Sequence, residues 1–366
     1  MSSPDVIVIG AGLIGCAVAH ALSRSGAAVS VLDADVPGSG ASQASAGMLC
    51  PYIEGEHDPV LQAIGAASLA MYDGFIARIQ RDSDLSIPYV RAGTLQVADT
   101  EEGAAHLRDT AERLHAMGVR SHFAEGREVG ELEPLASAQQ AALLIEAHGA
   151  VRVRDLVEGL RLGAVHNGAR FLHAERVARV TRADGGLMVE THARSFAAPH
   201  VIVTAGAWSM QLPVQDHPVI PTHPVRGQLL RLQTNGSVIR RVLWGRECYL
   251  VPWGDEVLVG ATSEQAGFDA RATVAGVTHL CLAAQAVVPQ LADATFSEVR
   301  VGLRPGSPDG MPLIGASQHA AGLVYATGHY RHGALLAPLT ADLVERVVRD
   351  AATPVHDALA AARFSL

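Results

Sequence analysis

Three glycines near the start of the chain restrict its fold more than any other feature. Gly10, Gly12 and Gly15 stand in G-x-G-x-x-G spacing within "DVIVIGAGLIGCAVAHALSRSGAAVSVLD", Asp5 to Asp33. Val6 to Ile9 before them form a short β-branched apolar run, the pattern of a parallel strand buried on both faces. A helix is predicted from about Leu13 to Ser25, stopped at Gly26. Ala28 to Leu32 predict a second strand, ending at Asp33, eighteen residues beyond Gly15. In such a unit the first glycine makes the tight turn, the second admits a pyrophosphate to the backbone, and the third lets helix and strand close up. The free N–H groups and positive dipole end of the helix attract the phosphate. A carboxylate at Asp33 accepts hydrogen bonds from ribose hydroxyls and disfavours a ribose 2′-phosphate. NAD and FAD both remain open on this stretch alone.

The chain after Asp33 bears on that choice. A nicotinamide-type domain continues with regular strand–helix alternation, whereas this chain enters "PGSGASQASAGML", Pro37 to Leu49. That loop of small residues brings Ala41, Ser42, Ser45 and Gly47 within reach of a cofactor. One long amphipathic helix is predicted from Asp58 to Ser83, a strand over Thr94 to Ala98, and helices over Glu101 to Met117 and Val153 to Val165. Short strands follow at Phe171 to Leu172, Val177 to Thr181 and Leu187 to Glu190, the last two joined by an Asp184–Gly185 turn. "HVIVTAGAW", His200 to Trp208, reads as another buried strand running into a small-residue turn, and Val219 to Thr262 as a strand-rich portion. "GLVYATGHYRHGALLAP", Gly322 to Pro338, repeats strand, glycine turn and helix. A nucleotide domain assembled from the beginning, middle and end of the chain is the layout of FAD proteins.

Composition narrows the remaining classes. A net charge of −9 argues against general affinity for nucleic acid. Cys16, Cys50, Cys248 and Cys281 show no CxxC spacing and read as reduced thiols, and the 17 histidines form no HExxH signature, so no metal is expected. "MSSPD" carries no basic n-region and no stretch has the roughly 18 apolar residues of a membrane span, so a cytoplasmic protein is expected.

"GAGLIG…VLD", "ASAGML", "VTAGAW", "PVRGQLL", "CYLVPW…VLVGAT", "GLRPGSPDGMPLIG" and "GHYRHGALLAP" occur in an order that resembles the D-amino-acid-oxidase-like flavoprotein family. The last two resemble most its glycine oxidase branch, associated with thiamine biosynthesis. The resemblance implies an α/β fold: a discontinuous Rossmann-like FAD-binding domain (residues 1–80, 145–215 and 300–366) beside an α+β substrate domain (81–144 and 216–299) built on a large, mostly antiparallel sheet. It also implies non-covalent FAD and oxidation of a small amino acid, glycine or an N-substituted glycine such as sarcosine. The product is an imine that water hydrolyses, with O2 taking the electrons.

By matching motif, the cofactor contacts are Gly10, Gly12, Leu13, Ile14, Gly15, Asp33, Ala34, Ala41, Ser42, Ala46, Gly47 and Met48, with Val177 beside the adenine. His329, Tyr330, Arg331, His332, Gly333, Ala334 and Leu335 would wrap the flavin end. The substrate carboxylate would meet Arg304, helped by Tyr249, with Arg331 and Met48 nearby. A guanidinium fork suits that task in geometry and charge.

The chain departs from the branch at four positions. Ser263 stands where a bulky Met is expected, which implies a roomier substrate wall. Cys50 and Glu247 occupy expected pocket-mouth positions in place of Gly and His, and His332 replaces Asn in the last turn. Two other readings share the motifs: a D-amino-acid dehydrogenase serving a quinone, and a non-catalytic FAD-binding subunit. A homo-oligomer stays open.

Overall fold

In the computed structural model of the chain, residues 3–137, 139–236, 239–350 and 353–366 are described. The fold is mixed α/β. A six-stranded sheet orders its strands Leu313–Ala316, Leu323–Thr327, His200–Val203, Val6–Ile9, Val29–Leu32 and Arg170–Leu172, all parallel except the first edge strand. Its first strand explains the unbroken apolar run. Val6 and Val8 pack into the helix-side core, whereas Ile7 and Ile9 pack into a second core on the opposite face. Alternate side chains of a strand point to opposite faces, so a sheet covered on both sides needs apolar residues at every position.

The Leu13–Arg24 helix packs between Val153–His166 and Gly333–Arg349 on one face of this sheet. The other face is covered by the antiparallel meander Val177–Ala183, Gly186–Thr191 and Ser195–Ala198, whose Val180, Leu187 and Val189 share the second core.

The larger sheet has eight strands, in the order Thr295–Gly306, His223–Gln233, Glu256–Gly260, Tyr249–Trp253, Val242–Trp244, Thr94–Ala98, Ala141–Ile145 and Ser121–Glu125. Every pair is antiparallel except Val242–Trp244 with Thr94–Ala98. The Val274–Val287 helix lies against it through Leu280, Ala283, Ala284 and Val287. A small sheet of Met48–Leu49, Gly149–Val151 and Tyr89–Val90 joins segments from three distant parts of the chain.

The single helix expected from Asp58 to Ser83 is two helices, Pro59–Ala70 and Tyr72–Ser83, bent by 44°. Asp58 caps the first by accepting from the amides of Val60 and Leu61, with Pro59 at the first helical position. The bend at Met71 presents two separate apolar faces, Leu61, Ile64 and Leu69, then Phe75, Ile76 and Ile79, to one core. A periodic pattern cannot register such a break, because both halves keep the same spacing. Among the described residues no single helix is long and apolar enough to cross a membrane, though this bent pair passes that test together.

Candidate functional site

A cavity of about 980 Å3 runs from the C-terminal ends of Val6–Ile9 and Val29–Leu32 to the inner face of the eight-stranded sheet. Its first end is the glycine turn. Gly10 has φ +105°, and a Cβ there would stand 2.6 Å from the carbonyl oxygen of Thr204. A Cβ on Gly15 would overlap the carbonyl of Gly10, so that glycine serves close helix–strand packing and does not line the cavity. Gly12, Leu13 and Ile14 do line it, which aims the N-terminus of the Leu13–Arg24 helix, with Gly12 as a side-chain-free cap, at the interior. The Ser42 hydroxyl accepts from the Leu13 amide at 2.9 Å, leaving its own proton free to donate inward.

Asp33 stands at the adjacent strand end, where its carboxylate accepts from the amides of Ala11 at 2.5 Å and Asp35 at 2.9 Å. Burial raises its pKa against the opposing pull of these donors. Lone-pair capacity for ribose hydroxyls remains on both oxygens. Ala34, Ala41, Ala46, Gly47 and Val177 line the same end. Glu175 lines it too, its amide donating to the Asp33 carbonyl at 2.8 Å and its carboxylate paired with Arg194 at 2.5 Å. Nothing in its local sequence marks Glu175.

At the other end stand Met48, Tyr249, Arg304, His329, Tyr330, Arg331, Gly333 and Ala334. His332 and Leu335 do not line the cavity; both are buried behind it. Arg304 makes no ion pair among the described residues. Its Nη1 donates only to the carbonyl oxygens of Thr262, at 3.0 Å, and Arg226, at 3.5 Å. Neighbouring Arg226 is fully engaged by Glu264 at 2.5 Å and Asp269 at 3.2 Å, so Arg304 keeps a charge to offer.

Two glycines far apart in sequence clear the space. A Cβ on Gly227 would overlap the Arg304 guanidinium, and one on Gly260 would stand 2.5 Å from the Tyr249 ring. Burial raises the pKa of Tyr249 against the pull of Arg304, so its hydroxyl stays a hydrogen-bond donor. Arg331 is exposed and lies 5.1 Å over the Tyr330 ring. "PVRGQ" and "VLVGAT" carry both glycines in plain view, but only the tertiary contact shows what each accommodates.

Two expectations about the pocket wall change and a third holds. Ser263 is exposed and does not line the cavity; its hydroxyl sits 3.3 Å from that of Tyr330 and reaches the pocket only through it. Cys50 is fully buried, 3.2 Å from the Thr94 hydroxyl, and is not at the mouth. Glu247 does line the cavity, exposed beside Arg246 at 3.5 Å. Glu54 and Trp244, which the sequence did not single out, line the substrate end as well.

The FAD-dependent oxidoreductase family (DAO) matches residues 5–346. The chain belongs to this family. It is 31% identical over 350 residues to a glycine oxidase of Geobacillus kaustophilus (strain HTA426), covering 93% of each chain. It is equally identical to a bifunctional protein ThiO/ThiG of Trichormus variabilis, of which it spans 52%. The crystal structure of glycine oxidase from Geobacillus kaustophilus superposes with a TM-score of 0.91 at 29% identity, over 97% of both chains. That of iminodiacetate oxidase from Chelativorans sp. BNC1 does so at 0.86 and 28% identity, over 97% of this chain and 98% of that one.

FAD is the cofactor of this family member, and the cavity fits it. The helix N-terminus, the glycine turn and Asp33 suit a pyrophosphate and an adenosine ribose, while the remaining volume extends to Arg304. When bound, FAD supplies the two-electron acceptor; the chain supplies everything that orients the substrate against it.

Proposed function

We propose that the protein oxidises the amine of a small amino acid, glycine or an N-substituted glycine such as sarcosine, to an imine that water hydrolyses to glyoxylate. The two electrons pass through FAD to O2, which leaves as H2O2; ammonia or the N-alkyl amine is the other product. The observation that carries this reading is Arg304, a cavity cation that makes no ion pair among the described residues and donates to the carbonyl oxygens of Thr262 and Arg226. A carboxylate entering the cavity meets two parallel guanidinium donors, with the Tyr249 hydroxyl beside them. Holding the acid group fixes the α-carbon, so positioning supplies most of the catalysis. The kinship with glycine oxidases and an iminodiacetate oxidase supports amino-acid oxidation of this type.

Residues 1–80, 145–215 and 300–366 form the cofactor-binding part and 81–144 with 216–299 the substrate part, a division supported by which strands join the six- and eight-stranded sheets, except that Thr295–Gly306 crosses the boundary at 300 and carries Arg304 in the eight-stranded sheet. Residues 1–2, 138, 237–238 and 351–352 of these ranges lie outside those described.

The test is anaerobic mixing of the yellow holoenzyme with glycine, sarcosine, D-alanine and iminodiacetate, followed by admission of air with peroxide detection. Bleaching by a glycine-type amine and rapid peroxide release are expected. Failure of every amine to bleach the flavin overturns the reading, and bleaching without reoxidation by air overturns O2 as acceptor.

A further inference from the structure

Glu54 ends the short helix Pro51–Glu54, and its buried Oε2 has no hydrogen-bond donor. The side chain is 5% exposed, lines the large cavity, and leaves Oε2 without a partner. The nearest cation-forming group is His332 Nδ1, at 3.5 Å, outside good hydrogen-bonding range and itself unpartnered. Folded proteins rarely leave a buried carboxylate so served, since desolvating it without a donor is costly. Oε2 is closed to the cavity and faces His332, so Oε1 is the oxygen left to accept from whatever fills the cavity.

The position of Glu54 says which part of the occupant that is. Tyr249 lies within electrostatic reach of both Glu54 and Arg304, so the carboxylate and the free guanidinium share one end of the cavity. Arg331 also faces Glu54 without forming an ion pair with it among the described residues. A cavity end that offers a cation for an acid group and an anion without a donor is complementary to a zwitterion. Resting on the amino-acid reading above, we propose that Glu54 receives a hydrogen bond from the substrate's amino group while Arg304 holds its carboxylate. The pair makes the pocket select an amino acid over a simple carboxylic acid, because an acid lacking nitrogen brings negative charge toward Glu54 and nothing for it to accept.

The experiment compares two ligands in the holoenzyme. Acetate binding is read from perturbation of the flavin spectrum, and glycine or sarcosine binding from the concentration dependence of anaerobic flavin reduction. In Glu54→Gln, amine affinity should weaken about tenfold or more, the scale of a lost charge-assisted hydrogen bond. Acetate affinity should hold or tighten, since a nearby negative charge is gone. Glu54→Asp, which retracts the carboxylate by one methylene but keeps its charge, should give an intermediate amine loss and wild-type acetate binding. FAD content and the unliganded flavin spectrum report folding of each variant. Parallel weakening of both ligands means that Glu54 merely shapes the cavity, and unchanged amine affinity removes it from the substrate; either result overturns the proposal. If no amine reduces the wild-type flavin, the amino-acid reading itself has failed, a different outcome from either of these.

Discussion

Replacing Arg304 with alanine removes a half-buried cavity cation that has no ion-pair partner among the described residues, while leaving its carbonyl partners Thr262 and Arg226 in place. Two parallel charge-assisted hydrogen bonds to a carboxylate contribute about 1.5–3 kcal/mol each, so their loss costs at least about 3 kcal/mol. At 1.36 kcal/mol per decade that is roughly a hundredfold or more in kcat/KM. The loss has a second source: without Arg304, only Arg331 offsets the charge of Glu54 toward the substrate acid. Arg304→Lys, which keeps a charge but not the fork, should fall between the two. The assay is steady-state peroxide production with glycine and sarcosine, beside titration of the flavin spectrum with acetate. FAD content and the flavin spectrum should stay native, because the adenosine end is built from other segments. An Arg304→Ala enzyme with wild-type kcat/KM and acetate affinity would refute the carboxylate clamp.

Further outcomes are expected from the same geometry. Gly227→Ala should raise KM about tenfold with little change in thermal stability, since the new methyl displaces the flexible Arg304 tip rather than backbone; a KM within twofold of wild type contradicts this. Asp33→Ala should release FAD on dialysis, because it removes a ribose acceptor and strands the Ala11 and Asp35 amides; retention equal to wild type removes Asp33 from the cofactor site. Acid precipitation should free all the flavin: Cys248, a cavity-lining thiol, is pushed up to about 12 by burial and the charge of Glu247 and stays protonated. Coloured protein in the pellet contradicts that. Burial lowers the pKa values of His148 and His329 to about 3, helped by the charges of Arg91 and His332 respectively. Both are neutral in the fold and protonate readily when unfolded, so their contribution is complete above about pH 6.5 and is lost as pH falls toward 3. Each should cost about 2 kcal/mol by pH 5, read by urea unfolding. His148→Gln should flatten the slope, and an unchanged slope excludes His148 as its source.

What the sequence determined by itself is whatever depends on neighbours along the chain. The strand–turn–helix at Val6–Arg24 and the acid at Asp33 need only local spacing, and the Thr94–Ala98 strand needs only its own apolar residues. The family motifs named Arg304 and Tyr249 before any contact was visible. Tertiary structure alone decided the rest, because burial and electrostatic partnership arise between segments that are remote in the chain. Arg304 makes no ion pair among the described residues while its neighbour Arg226 holds Glu264 and Asp269, and it fits because Gly227 lies beneath it. Cys50 left the pocket mouth for Thr94, and Ser263 withdrew behind Tyr330. Glu54, unremarkable in "CPYIEGEH", became a buried anion when the fold brought His332 to its back and the cavity to its front, 278 positions apart in one chain.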